Sequence, residues 1–202
     1  CPGMSHGFLM RWGRGCCNTS NHDRIMDDIV KAALQKWPNV PACYGWLALD
    51  ARGDWYMRDE RVQAAGPFPA VKGSRVTHDK LKQFIERNYE ADEFGAWYFQ
   101  NGPQRVYVAL EAAPWVWSID RMDDGSAWRM TSHTGRQPKG IDAVLLDELG
   151  RLFLYAADMG LGVVRSLDMD AAADWLISKD VTPEDVRFEA LSARFGYQLT
   201  PK

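Results

Sequence analysis

Apolar positions along the chain follow two patterns, one with helical spacing and one with short runs broken by turns. Ile29, Ala33, Leu34 and Trp37 recur at helical spacing behind Asp27 and Asp28, whose negative charge suits a helix N-terminus, and Pro38 stops the run. Leu81, Phe84, Ile85 and Tyr89 form a second apolar face behind Thr77, a residue type that caps helices. Asp168 opens a third helix through Ala172 and Trp175. Thr182-Pro183-Glu184-Asp185 reads as a cap with Pro at the first helical position, leading into a last helix through Val186, Ala190, Leu191 and Phe195 that Gly196 ends.

Between these helices the short runs share one turn signal. Tyr44 to Leu49 ends at Asp50-Ala51-Arg52-Gly53 and resumes at Trp55-Tyr56-Met57. Asp92-Glu93-Phe94-Gly95 leads into Trp97-Tyr98-Phe99, and Asp147-Glu148-Leu149-Gly150 joins Ala143–Leu146 to Leu152–Tyr155. A looser copy, Asp123-Asp124-Gly125, precedes Ala127-Trp128. Asp opens such a turn by hydrogen-bonding the backbone ahead of it, and Gly three residues on supplies the left-handed exit. Asn101-Gly102 marks a further hairpin, with strands at 105–111 and 115–119, and Ser132 to Gly140 reads as a polar loop. The uneven spacing of the turns excludes a fixed-period solenoid or propeller. The expected fold is therefore α+β: degenerate antiparallel β-hairpin repeats in one sheet system, with amphipathic helices packed on or beside it.

Composition narrows the function classes. Against 27 acidic residues stand 24 Lys and Arg, a net charge of −3, with no basic stripe for a phosphate backbone or a membrane surface. The longest stretch free of charge, Trp37 to Leu49, has 13 residues and two prolines, short of the roughly 20 that span a bilayer. Neither nucleic acid nor a membrane is expected as a partner. Cys1, Cys16, Cys17 and Cys43 are too few for a disulfide scaffold, and with His6, His22, His78 and His133 they lack metal-ligand spacing. No metal or cofactor is expected, and a reducing, cytoplasmic setting fits the cysteines. Residues 1–25, with no sustained apolar period, read as a disordered or extraneous extension, and 26–202 as a single α+β domain.

Several stretches carry a resemblance: Trp37-Pro38-Asn39-Val40-Pro41, Tyr44-Gly45-Trp46-Leu47, Gly53 to Glu60, Gly66-Pro67-Phe68, and Asp92 to Trp117 with Gly95 to Gly102 and Leu110 to Trp115. Together they resemble an uncharacterised proteobacterial family known as a domain of unknown function. The resemblance runs from Met26 to the C-terminus. The second stretch is also similar to a neighbouring uncharacterised family with repeated β-rich motifs, for which a signalling role has only been guessed. It implies the domain limits and carries over no catalytic residue.

The candidate chemistry lies with the aromatic residues, which include nine Trp. In a strand, neighbours point to opposite faces, so Trp55-Tyr56 and Trp97-Tyr98 each send one ring inward and one outward. Trp115 and Trp117 alternate around Val116 as a short shelf. Arg58, Arg105 and Glu111 beside these rings suit a small anion. The expected site is thus Trp55, Tyr56, Arg58, Trp97, Tyr98, Arg105, Glu111 and Trp115, in a non-catalytic module for a small anionic ligand or a protein partner. The alternative is a small hydrolase-like enzyme with His133 or Glu111 as acid/base. Ser132-His133-Thr134 puts hydroxyls beside a histidine, but no G-x-S-x-G elbow occurs, and Gly160-Leu161-Gly162 lacks the third glycine of a dinucleotide fingerprint.

Overall fold

A computed structural model describes residues 28–122, 125 and 127–202. The expected extension at 1–25 and the Asp123-Asp124 part of the looser turn lie outside the described residues. The first half of the chain runs α1 (Asp28–Lys36), β1 (Cys43–Leu49), β2 (Trp55–Met57), α2 (Glu60–Ala65), β3 (Ser74–Arg75), α3 (Asp79–Arg87), β4 (Tyr89–Ala91), β5 (Trp97–Asn101) and β6 (Gln104–Leu110). The second continues with β7 (Trp115–Arg121), β8 (Trp128–Ser132), β9 (Ala143–Asp147), β10 (Leu152–Ala156) and β11 (Gly160–Val164). A 3-10 turn at Ser166–Asp168, α4 (Met169–Lys179), β12 (Glu184–Val186) and α5 (Phe188–Phe195) complete it.

The fold is α+β, but the strands form two six-stranded mixed sheets, where one sheet system was expected. Their orders are β3-β2-β1-β6-β5-β4 and β12-β9-β10-β11-β7-β8. Hairpin signals report only strands adjacent in sequence. The pairings that close each sheet are parallel, β1 with β6 and β7 with β11, and a parallel pair leaves no turn signature.

The two sheets repeat one arrangement. In β2-β1-β6-β5-β4 and again in β8-β7-β11-β10-β9, a hairpin is followed by a three-stranded meander whose last strand lies parallel to the hairpin's first. The first sheet adds β3 beside β2, and the second adds β12, parallel, beside β9.

The three full Asp turns share four hydrogen bonds. Each Asp N–H donates to the carbonyl four residues on, and each carbonyl accepts from its Gly N–H (Asp50–Gly53, Asp92–Gly95, Asp147–Gly150). Each Oδ1 then accepts two backbone N–H groups: Arg52 and Asp54, Phe94 and Ala96, Leu149 and Arg151, all at 2.8–3.0 Å. Gly53, Gly95 and Gly150 have φ of 87°, 78° and 73°, as the turn requires. Ser132 opens a fourth version inside the expected polar loop. Its N–H donates to Arg136 O, its carbonyl accepts from Gly135 N–H, and its Oγ accepts from Arg136 N–H at 3.1 Å.

The helices differ from expectation at their ends. His78, one residue beyond Thr77, caps α3, its Nδ1 accepting from Leu81 N–H at 3.4 Å. In α1, Val30 is buried while Ile29 is exposed, as is Trp37 just beyond the helix. The unexpected α2 starts at Asp59, whose Oδ1 accepts from Val62 N–H at 2.9 Å. Glu184 and Asp185 do not begin a helix: with Val186 they form β12, because an extended segment there completes the edge of β9. Gly196 does end the last helix, in the left-handed conformation.

One apolar core joins the sheets. Leu47, Leu49, Trp55, Val108 and Leu110 of the first pack with Trp115, Trp117, Ile119, Phe153, Leu154 and Val163 of the second. Trp117 crosses β11 to donate Nε1–H to Leu154 O at 3.2 Å, over Gly162, where any Cβ would overlap its indole.

Candidate functional site

The parallel pairing of β1 and β6 sets two acidic residues side by side at the C-terminal ends of those strands. Glu111 N–H donates to Leu49 O at 3.0 Å, and Asp50 is the next residue after Leu49. Asp50 is buried, and while its Oδ1 closes the turn its Oδ2 accepts from Lys72 Nζ at 2.9 Å and from the Tyr56 hydroxyl at 3.2 Å. Lys72 Nζ also reaches Glu111 Oε2 at 3.1 Å, and that oxygen accepts Ala51 N–H at 3.2 Å.

Burial alone pushes the Asp50 carboxyl up, but hydrogen bonds from Lys72 and from the Asp54 and Arg52 amides outweigh it and hold it below its ordinary value. Burial pulls Lys72 down, and its bonds to Asp50 and Glu111 bring it above its ordinary value. Both residues are therefore charged at neutral pH. The Tyr56 hydroxyl is pushed up, by burial first and by the Asp50 charge second.

Beside this cluster lies a cavity of about 450 Å3 that both sheets line. Ala51 and Arg52 come from the Asp50 turn, Gly150 and Arg151 from the Asp147 turn, and Lys72 and Glu111 stand between them. Val163, Val164 and Met169 supply apolar wall, and Ser166 a hydroxyl. Arg151 is held at 2.6 Å by Asp147 Oδ2 and sits 4.0 Å from the Phe188 ring. The exposed Arg52 guanidinium has no ion-pair partner among the described residues. Three cations and one carboxylate thus line a concave space with an apolar wall.

The eight residues expected at a site fall into three places. Trp55, Trp97 and Trp115 meet around Tyr89 and His133 in a cluster on the inner side of the first sheet, with ring centroids 4.7–5.8 Å apart. Trp55 and Trp115 are buried there, and Trp97 is half-buried. Tyr56 and Tyr98 point to the opposite face, as strand alternation requires. On that face Tyr98 donates to Glu90 Oε1 at 2.7 Å and packs on Tyr107, and Arg105 lies 4.7 Å over its ring. Arg58 is buried, its Nη2 donating to Gly66 O at 2.6 Å. Only Glu111 lines the cavity between the sheets, with Tyr56 attached to it through Asp50.

Sequence reasoning missed Lys72, Arg52 and Arg151. Arg52 and Arg151 lie within or next to Asp turns, and that adjacency was the available signal. Lys72 sits in a loop with no pattern around it.

The residues of the alternative chemistry are occupied. Ser132 Oγ is engaged in its own turn and with Thr134 Oγ1 at 3.0 Å. His133 Nδ1 accepts Val116 N–H at 3.3 Å, and its Nε2 is enclosed without a hydrogen-bond partner among the described residues. Burial first, then the Lys82 and Arg136 charges, pull this imidazole down to about 3, so it is neutral at pH 7 and a weak base. No group of three or more metal-ligating side chains occurs among the described residues, and no helix among them is long and apolar enough to cross a membrane.

Comparison with known proteins identifies the family without an activity. No curated protein matches the chain. Two solved structures are similar over part of it. A DUF1285 family protein from Silicibacter pomeroyi DSS-3 is 11% identical, with 70% of this chain and 74% of that one covered and a TM-score of 0.45. Another from Shewanella baltica OS155 is 14% identical, with 68% and 93% covered and a TM-score of 0.40. A sequence profile described as "Protein of unknown function (DUF2946)" matches residues 26–202, and the chain belongs to that family.

Proposed function

We propose that the protein is a non-catalytic binding module for a small anionic ligand, held in the cavity between the Asp50 and Asp147 turns. The observation that carries this is the convergence of Arg52, Lys72 and Arg151 on a concave space in which Glu111 is the one lining carboxylate. Arg52, free of a described partner, gives an incoming carboxylate or phosphate a planar two-point contact. Lys72, held in place by Asp50 and Glu111, adds an oriented ammonium donor, and Val163, Val164 and Met169 take the ligand's apolar part. A cavity of this size matches small-molecule sites. Because both sheets line it, an occupant ties one sheet to the other, which is what a regulatory module needs. The engaged Ser132 and His133 support binding over hydrolysis.

The test is a thermal-shift series with phosphate, citrate and short dicarboxylates, run on the wild type and on Arg52→Ala. Ligand at about 100 times its dissociation constant adds about 2.7 kcal/mol of stability. At least one anion is expected to raise the wild-type Tm, and Arg52→Ala to keep the ligand-free Tm and lose most of the rise. An absent rise for every anion, or an equal one in the variant, counts against the reading.

A further inference from the structure

We propose a second binding site, on the other sheet, for a single-chain anionic amphiphile: one alkyl chain carrying a carboxylate or phosphate head. The face of β7 that carries the fully buried Trp117 and Ile119 continues onto the edge strand β8. There Met130 pairs with Ile119 and Trp128 with Arg121, and both Met130 and Trp128 are only half-buried. The apolar face thus runs past the core into a cleft of about 1,060 Å3, walled further by Ile141, Val144 and Trp175 of α4. Met130 suits such a place because its unbranched side chain adapts to chains of different length.

The surroundings select the sign of the head group. Lys139 and Lys179 line the same cleft, and neither is ion-paired to another described residue, whereas Arg129, paired across the strands with Asp120, belongs to the other face of β8. Lys179 follows Trp175 by four residues on α4, so its ammonium lies one turn beyond the indole on one helix face. The two lysines outnumber the one lining carboxylate, Asp142, whose Oδ2 accepts Ala157 N–H at 2.6 Å. An apolar wall with unpaired cations beside it complements an alkyl chain that ends in an anion. The concavity favours a free amphiphile over a bilayer, whose head groups present a broad surface.

Tryptophan emission, which Trp128 and Trp175 report, tests this with octanoate, decanoate and dodecanoate below their micelle concentrations. Burial of each added methylene tightens binding about fourfold, so each two-carbon step is expected to gain at least about tenfold. Decyltrimethylammonium is expected to bind at least about tenfold more weakly than decanoate. The exposed pair Lys139→Glu and Lys179→Glu, made together, is expected to weaken decanoate about tenfold with an unchanged urea midpoint. Arg52→Ala, in the other cavity, is expected to leave decanoate binding intact, which separates this site from the one between the turns. Affinity that is flat in chain length, equal for the cationic amphiphile, unmoved by the double charge reversal, or lost in Arg52→Ala overturns the proposal. So does association with phosphatidylglycerol vesicles without binding of monomeric decanoate.

Discussion

The β4–β5 and β9–β10 turns hold the same place in the two sheets and make the same four hydrogen bonds, yet their surroundings differ. Asp92 Oδ2 accepts from the Tyr107 hydroxyl at 3.0 Å, across a strand pair, whereas Asp147 Oδ2 takes Arg151 from within its own turn. Gly150 faces open space. Gly95 lies against the C-terminal segment, where its carbonyl accepts Gln198 N–H at 3.0 Å and an added Cβ would strike the Gly196 carbonyl oxygen. One oxygen of each Asp thus builds the turn, and the other connects it to whatever the fold brings near. The second residue of the turn varies in the same way. Ala51 lines a cavity, Glu148 accepts Phe188 N–H at 2.9 Å, and His133 enters the aromatic cluster.

The sharpest way to break this comparison is to give both glycines the same substitution. Gly150→Ala pays for left-handed strain alone and is expected to cost about 1 kcal/mol. Gly95→Ala adds an overlap with backbone that has no rotamer to move away, and about 4 kcal/mol is expected. Urea unfolding of the two variants measures both. Equal costs would mean that the C-terminal segment yields freely and that the turns are alike in more than their hydrogen bonds.

The comparison also marks where the sequence was legible. Asp and Gly three apart, with apolar runs on both sides, located three turns and the positive φ of their glycines, because that chemistry is confined to four residues. The same locality hid the split into two sheets, since the parallel pair of β1 and β6 joins segments far apart in sequence and leaves no turn signature. From the sequence, Ser132 to Gly140 reads as a polar loop, and Ser132-His133-Thr134 as hydroxyls beside a histidine. In the fold, that serine does the work of a turn aspartate, and the histidine is the residue the turn delivers to the core. Glu111 was singled out for its charge beside aromatic rings, while Lys72, which holds it, came from a loop whose position only tertiary structure sets.

His133 gives the next largest effect and distinguishes the Ser132 turn from the Asp turns by pH. Its folded value of about 3 lies below its ordinary 6.5, so the unfolded chain binds the extra proton between these limits. The stability it contributes is complete above about pH 6.5 and is lost as pH falls toward 3, about 3 kcal/mol of it by pH 4. Asp50, held below its ordinary 3.8, adds its own loss only at lower pH. Glu86, pushed up by burial, works in the opposite sense above its ordinary 4.5, so the wild-type slope alone does not isolate the histidine. The difference between wild type and His133→Gln does. The wild type is expected to lose about 3 kcal/mol more than the variant between pH 7 and pH 4. Parallel curves would show that the ring protonates without leaving its cluster.

The smallest effect concerns an asymmetry at the β5–β6 turn. Gln104 Nε2 donates to Pro41 O at 3.1 Å, and a Cβ at Gly102 would meet Ala33 of α1 at ordinary contact distance, so the segment from α1 to β1 rests on the first sheet. At the turn between β10 and β11 in the second sheet, a Cβ at Gly160 would meet the Trp115 indole rather than a helix. If this support begins at α1, a chain starting at Met26 keeps it whole. Among the described residues, the core that joins the sheets begins at Leu47. The shorter chain's unfolding midpoint in urea is expected to match that of the full chain within about 0.5 kcal/mol. A loss above about 1 kcal/mol would place part of the first sheet's support in residues 1–25 and make the difference between the two sheets larger than α1 alone accounts for.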